Sequence, residues 1–423
     1  MNEAFLYYIW QYRLKGKQVV STQGEEIDIL KPGYRNADAG PDFTEAMIRI
    51  GEEVWAGAIE IHLRTSDWFR HHHQNDKHYS GLILHVVFEN DLPGREPTSC
   101  PTLELKNYVD PQLWQVYQGF LLSKQWIPCR EGFSRVYPVI VHSMLERAML
   151  ERMERKVSEI QRLLHVTQNN LHESFYVALA RAFGQKTNAQ AFEILARTTP
   201  LHIVARYAHS LFQTEALLFG QAGMLSEQPV DEYHDSLYRE YLYLKEKHHL
   251  VAALHIPWKF MRLRPQGFPT LRIAQMADLL HRSSGLLQKL MQCHDVEEMK
   301  TMLNCQASEY WDTHYRFGET APARPKKAGR DFLNHLIINA VVPFQWIDAQ
   351  LRGDPKGPEE ALNLLYGLPP ENNAIVRGWQ QLGYTARDAF SSQALLELKN
   401  RYCTLKRCLD CKIGHSLLNM HAK

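Results

Sequence analysis

The hydrophobic positions of the chain follow two different periods. Before about residue 105, short apolar or β-branched runs alternate with Gly, Pro and Asn, which is typical of strands; the runs cover 18–22, 26–30, 46–50, 54–63 and 82–88. Residues 3–13 carry apolar side chains at helical spacing, which predicts a helix before the sheet. From about residue 138 a period of 3.6 residues takes over.

This change of period predicts an α+β protein with two domains. We expect residues 1–137 to form an α/β domain around a mixed β-sheet. Residues 138–423 are expected to form a large all-α domain, because helical spacing recurs there between breaker-rich loops.

Polar residues interrupt two of the predicted strands at particular places. Ile59 and Ile61 share one face of their strand, so Glu60 and His62 converge on the other face. The last predicted strand is apolar throughout except for His85, as expected for a central strand that is covered on both faces.

Composition and charge narrow the class of protein. The 423 residues are 45% hydrophobic and 22% charged, which excludes disordered and coiled-coil chains. Lys and Arg number 48 against 47 Asp and Glu, so a nucleic-acid partner requires a local basic patch. The chain has no apolar run of the roughly 18 residues that a membrane span needs, no signal-peptide pattern, and an odd seven Cys. We therefore expect a cytoplasmic protein without a membrane partner, and protein partners stay open.

Histidine is the residue type with an uneven distribution. The chain has 21 His, and a group of them lies within residues 62–85: His62, His71, His72, His73, His78 and His85. Imidazoles at His71 and His73 with the Asp76 carboxylate suit a transition metal such as Zn²⁺ or Mn²⁺. Three structural interpretations stay open, namely Asx turns at the Asp residues, a solvated His loop and a core histidine at His85.

Carboxylates precede this histidine-rich segment. Asp38 and Asp42 flank a Gly-Pro turn, and Glu60 follows on the next strand. Carboxylates on neighbouring strand ends can hold Mg²⁺ and leave positions for water and a substrate phosphate.

The spacing of these residues resembles a known nuclease signature. Pro41-Asp42, seventeen residues and then Glu60-x-His62 are similar to the motif of the PD-(D/E)XK nuclease superfamily. The resemblance implies a restriction-endonuclease-like fold in which Asp42 and Glu60 bind Mg²⁺ or Mn²⁺. It also implies that His62, where the superfamily usually has Lys, orients or deprotonates the attacking water.

A second resemblance extends over nearly the whole chain. The segments Trp55–Ala58, Leu84–Val87 and Arg264–Pro269, together with the C-terminal cysteines, resemble an uncharacterised bacterial family, DUF2851. This resemblance implies a bacterial protein and assigns no activity.

The C-terminal segment carries a separate candidate metal site. Cys403, Cys408, Cys411 and His415 lie close together in sequence, and a CxxC pair is a common zinc-binding spacing. They predict a possible structural zinc site. An iron–sulfur cluster requires a further cysteine, with Cys293 and Cys305 as remote candidates, and simply packed, reduced thiols are the third interpretation.

Together these observations give two functional hypotheses. The first is a Mg²⁺- or Mn²⁺-dependent nuclease or phosphodiesterase that acts on nucleic acid, with Asp42, Glu60 and His62 as catalytic residues. Its substrate is expected to contact a further set of side chains: His71, His73, Asp76 and His85. The alternative is a non-catalytic binding or scaffold protein with a degenerate nuclease-like fold and a helical partner-binding domain.

Overall fold

The computed structural model describes residues 1–14, 16–36, 38–97, 100–251, 255–282 and 285–420. The chain divides into two compact units. The first unit combines residues 1–144 with the segment that begins at Leu398, and the second unit comprises residues 145–397. The C-terminal segment therefore belongs with the sheet rather than with the helices that precede it, which differs from the predicted division into 1–137 and 138–423. The reason is hydrophobic: Leu409 and Leu418 are buried in the core of the first unit.

The first unit contains a mixed β-sheet with helices before, within and after it. Its strands are β1 (Gln18–Val20), β2 (Glu26–Lys31), β3 (Tyr34–Arg35), β4 (Phe43–Ile50), β5 (Glu53–Arg64), β6 (Leu82–Glu89) and β7 (Thr102–Glu104). The helices before the long connection to the second unit are α1 (Glu3–Arg13), α2 (Thr65–Arg70) and α3 (Pro111–Leu122). The side chain of Asn2 accepts a hydrogen bond from the Phe5 N–H and so caps α1, which begins where the apolar spacing predicts.

The strands are ordered β1-β2-β4-β5-β6-β7, and β3 pairs with β4. Neighbours from β1 to β5 are antiparallel, whereas β5, β6 and β7 run parallel to one another. Helix α2 provides the crossover between the parallel strands β5 and β6. The mixed sheet followed by a helical region confirms the α+β prediction.

The two faces of the sheet differ in chemistry. Helix α1 covers one face, and its Phe5 and Trp10 share a hydrophobic core with Ile59 and Ile61 of β5. The opposite face carries a smaller apolar cluster of Trp68, Tyr79, Leu82 and Cys100. Because side chains alternate along a strand, Glu60 and His62 point to this second face, as the sequence predicts.

Helices make up most of the second unit. Helix α4 (Pro138–Val166) begins in the first unit and ends in the second. The helices that follow it in the second unit are α5 (Leu171–Phe183), α6 (Gln185–Thr198), α7 (Leu201–Arg206), α8 (Leu211–Gln221), α9 (Glu232–Lys247), α10 (Pro269–Arg282), α11 (Leu286–Gln292), α12 (Val296–Leu303), α13 (Glu309–Asp312), α14 (Arg330–Leu336), α15 (Val342–Arg352), α16 (Gly357–Asn363), α17 (Ala374–Gln381) and α18 (Ala389–Glu397). Two short strands, β8 (His314–Arg316) and β9 (Glu319–Thr320), lie between α13 and α14. Helix α19 (Lys412–Met420) lies in the C-terminal segment of the first unit. In the described part of the chain, no helix combines the length and the apolar character needed to cross a membrane.

Candidate metal centre

The register of three strands brings the predicted carboxylates and two histidines together. Asp42 directly precedes β4, whose first residue Phe43 pairs with Ile59 of β5. In the parallel pair of β5 and β6, Glu60 lies beside His85. The side chains of paired residues share a face, so the polar residues of three neighbouring strand segments meet beside the smaller apolar cluster.

The Asp42 carboxylate is held on both of its oxygens. The Tyr7 hydroxyl donates to Oδ1 at 2.7 Å, and the Ile61 N–H donates to Oδ2 at 3.0 Å. In return, the Asp42 N–H donates to Glu60 Oε2 at 3.1 Å. These bonds fix Asp42 and Glu60 relative to each other. They use only Oε2 of Glu60, so Asp42 makes no hydrogen bond to Oε1.

Three histidines converge above Glu60. His62 comes from β5, whereas His71 and His73 come from the turn after α2, and one ring nitrogen of each lies within 4.8 Å of the others. His72 between them adopts a left-handed backbone conformation with φ 59° and is exposed. His73 is held in place because its ring packs on Tyr79, with 4.0 Å between centroids. We call His62, His71 and His73 the histidine group.

Glu60 meets two members of the histidine group at equal distances. Its Oε1 lies 3.4 Å from Nε2 of His62 and 3.4 Å from Nε2 of His73. Both nitrogens are buried, and within the described residues neither has a hydrogen-bond partner. Two ligands that lie 2.1 Å from a tetrahedral ion are about 3.4 Å apart. The three imidazoles therefore fit a divalent transition metal, and the Glu60 carboxylate lies beside His62 and His73.

Burial controls the protonation of this site. Desolvation, reinforced by the other histidines, lowers the pKa of His62 to about 2, so its ring is neutral at pH 7. Desolvation and the Asp42 charge raise the pKa of Glu60 to about 8. A neutral imidazole has a free lone pair for a metal, but it is a poor proton acceptor in this environment. This favours a ligand role for His62 over the predicted role as a base.

His85 lies in the protein interior, next to His62 of the histidine group. It is fully buried, and its Nε2 lies 2.9 Å from Nδ1 of His62. Burial lowers the pKa of His85 to about 3. His85 has no accessible surface for the predicted contact with a substrate, and its ring nitrogen lies against the ring of His62.

Asp76 does not join the histidine group. It is exposed and accepts hydrogen bonds from the N–H of His78 at 2.9 Å and from the His78 ring at 2.7 Å, which caps a short 3₁₀ turn. The two hydrogen bonds hold the Asp76 carboxylate at the turn, and its predicted role beside His71 and His73 stays a prediction. Asp38 is also exposed, and its N–H donates to the Asn36 side chain.

The three C-terminal cysteines lie near a cysteine that is distant from them in the sequence. Cys403, Cys408 and Cys411 lie close enough to Cys129 for their charges to interact. His415 is oriented differently: its Nε2 hydrogen bonds to the Leu409 carbonyl, and its ring packs on Tyr8 and Tyr12. Cys129 therefore lies among the three C-terminal cysteines, whereas the His415 ring is bonded to Leu409. No sequence pattern connects Cys129 to the other three.

The second unit contains a basic cavity of about 370 Å³. Its lining includes five basic side chains, one from α10 and four from the segment that ends at the start of α14: Arg272, Arg324, Lys326, Lys327 and Arg330. Arg272 is buried, and its guanidinium lies 3.4 Å from the centroid of the Phe332 ring. The fold thus concentrates cations in one place although the net charge of the chain is +1.

Comparison with known proteins identifies a family. The family model described as Protein of unknown function (DUF2851) matches residues 3–374. The chain belongs to this family. No curated protein and no solved structure matches the chain.

Proposed function

We propose that the protein is a metal-dependent nuclease or phosphodiesterase whose centre lies on the face of the sheet that carries Glu60. The observation that carries the proposal is the distance of 3.4 Å from Glu60 Oε1 to two buried imidazole nitrogens that have no hydrogen-bond partner among the described residues. Such an arrangement is unfavourable for a protein without a ligand, because buried polar atoms are normally paired.

The donor set favours Mn²⁺ or another transition metal over Mg²⁺. Imidazole nitrogen suits transition metals, whereas Mg²⁺ prefers oxygen ligands and retains several waters. When bound, such an ion supplies Lewis acidity toward a phosphate oxygen and lowers the pKa of a coordinated water. His62, His71 and His73 are the residues that would hold it, and Glu60 lies beside two of them.

The remaining residues of the site orient these ligands. His85 fixes the ring of His62 through Nδ1, which leaves Nε2 facing Glu60. Asp42 positions Glu60 through its N–H and is itself held by Tyr7. His71 is exposed, so the centre is accessible from solvent on that side.

The order of elements supports a nuclease rather than a binding role alone. Asp42 lies at the start of β4 and Glu60 and His62 lie on β5, with α1 before and α2 after these strands. This matches the motif positions of the nuclease superfamily that the sequence resembles. The basic cavity of the second unit offers cations for phosphates, and we expect increasing salt to weaken nucleic-acid binding.

Cleavage assays with purified full-length protein test the proposal. With Mn²⁺ present, we expect cleavage of single- or double-stranded DNA or RNA. Asp42→Asn should reduce the rate at least ~100-fold, since the single amide oxygen cannot accept from both the Tyr7 hydroxyl and the Ile61 N–H, and the backbone N–H that holds Glu60 would shift. Asp38→Asn is the matched control, because Asp38 lies on the same turn but is exposed, and its rate should equal that of the wild type.

Two results would contradict the proposal. Equal cleavage by the wild type and Asp42→Asn would assign the activity to another site or to a contaminant. No cleavage of any nucleic acid by protein shown to contain the metal would favour the non-catalytic scaffold.

A further inference from the structure

Four cysteines of the first unit lie near one another, and none of them belongs to the proposed nuclease centre. We propose that Cys129, Cys403, Cys408 and Cys411 bind an iron–sulfur cluster. We call these residues the cysteine group. Each member lies near enough to the other three for their charges to interact, although residue 129 and residue 403 are separated by the whole second unit.

The backbone around the cysteine group is built for close approach. Gly414 lies so near the Cys408 carbonyl that an added Cβ would be 2.1 Å from its oxygen. At Gly132, an added Cβ would be 2.8 Å from the Leu417 side chain. Both glycines bring a cysteine-bearing loop against α19, since Gly132 N–H donates to the Cys129 carbonyl and Cys411 directly precedes the helix. The absence of a side chain at these positions lets the loops that carry Cys129 and Cys408 lie close to α19.

Burial makes the thiolate form of these cysteines unfavourable when no metal is bound. Cys129, Cys408 and Cys411 are buried. A thiolate that is buried without a metal is desolvated, so these thiols keep their protons unless a metal binds them. Coordination requires thiolates, and a bound metal is the usual reason for several thiolates to share one buried space.

The spacing distinguishes iron–sulfur from zinc. Four sulfurs that bind one tetrahedral zinc ion lie about 3.8 Å apart, since Zn–S distances are about 2.3 Å. Among the described residues, no three of these sulfur atoms all lie within 4.8 Å of one another. In a four-iron cluster each cysteine binds a different iron, so the sulfurs lie further apart. The wider arrangement therefore favours the cluster.

Nearby cations match the negative charge of a cluster with four thiolates. Lys406 is close enough to lower the pKa of Cys408, and Lys399 has the same effect on Cys403. Both lysines are held in place: Lys406 Nζ donates to the Leu121 carbonyl, and Lys399 Nζ donates to the Thr404 hydroxyl at 2.9 Å. A bound cluster would tie the C-terminal segment to the loop at residue 129 and so close a very long loop.

Anaerobic purification of the full chain tests the inference. We expect a brown protein with visible absorption and about four iron and four acid-labile sulfide per chain, after reconstitution with Fe²⁺ and sulfide if needed. Cys129→Ser should reduce both contents at least fivefold. Cys293→Ser is the matched control, because Cys293 is a buried thiol of the second unit whose Sγ contacts the Asp295 carbonyl, and it should retain the wild-type contents.

Circular dichroism and gel filtration of each variant separate loss of the cluster from loss of the fold. If Cys129→Ser does not fold, reconstitution of metal-free wild type with iron and sulfide or with Zn²⁺ decides the question. Wild type that takes up one zinc ion and stays colourless with iron and sulfide overturns the inference, as does unchanged iron in a folded Cys129→Ser. These readouts are independent of nuclease activity, so failure of one proposal leaves the other standing.

Discussion

The histidine group and the cysteine group lie in the same unit but are assembled over very different chain distances. The histidine group and Glu60 come from residues 60–73, on one strand and the turn that follows it. The cysteine group takes one residue from position 129 and three from residues 403–411. The first site needs only a strand, a short helix and a turn, whereas the second exists only after the C-terminal segment has returned to the sheet.

This difference indicates which substitutions should disturb each site. The histidine group depends on ring orientations set by neighbours such as Tyr79 and His85. The cysteine group depends on backbone contacts at Gly132 and Gly414 and on the packing of α19. Changes to a ring should therefore affect the first site alone, and changes to loop packing should affect the second.

The largest expected effect is the loss of metal affinity when a ligand is removed. His73→Ala should weaken Mn²⁺ binding more than ~100-fold, because removal of an outer partner alone typically costs 10–100-fold. His72→Asn is the matched control, since His72 is its exposed neighbour and asparagine tolerates the left-handed backbone at that position, and its affinity should equal that of the wild type. Isothermal titration calorimetry measures both. A similar loss in the two variants would mean that the histidine turn, and not the His73 ring, determines binding.

A smaller effect is expected when the loop packing at the cysteine group is disturbed. Gly414→Ala should lower the free energy of unfolding of the first unit by about 1–3 kcal/mol, because its Cβ overlaps the Cys408 carbonyl. The matched control is Gly119→Ala in α3, where an added Cβ meets nothing within 4 Å. Urea unfolding followed by circular dichroism measures the change. Mn²⁺ affinity should stay at the wild-type value in both variants; a loss of Mn²⁺ binding in Gly414→Ala would show that the two sites are coupled.

The smallest expected effect is a pH dependence of the metal-free protein. The pKa of Glu60 is raised to about 8 from its ordinary 4.5, so the folded state holds a proton that the unfolded state has released. Stability should therefore fall as pH rises toward 8, by at most about 1.4 kcal/mol per pH unit. The lowered pKa of His62 acts in the opposite sense, but only below its ordinary 6.5. Burial raises the pKa of Glu215 to about 7, which acts in the same sense as Glu60, so a Glu60 variant is needed to separate the two contributions.

Glu60→Gln tests whether the stability of the metal-free protein falls with rising pH because of Glu60. The variant has no carboxyl group to titrate, so its stability between pH 6.5 and 8 in the presence of a chelator should fall less steeply than that of the wild type. Chemical unfolding at several pH values measures the two slopes. Equal slopes would show that Glu60 is already ionised in the folded protein.

The sequence predicted much of the first unit because its pattern is local. Alternation along residues 54–63 identifies β5 and assigns Glu60 and His62 to one face, and the apolar run that contains His85 marks a central strand. Very short strands were missed: β3 and β7 have two and three residues, too few to show alternation. Helix α3 was also missed.

Other features were decided only by the tertiary structure. The sequence by itself determined that Glu60 and His62 face the same way and that histidines follow closely, since a strand fixes the direction of each side chain. It did not determine that His85 would be inaccessible or that Asp76 would turn to His78, because those outcomes depend on what packs around them. It also did not determine that Cys129 would join Cys403, Cys408 and Cys411. Contacts between distant residues arise from packing of the hydrophobic core, and no local spacing records them.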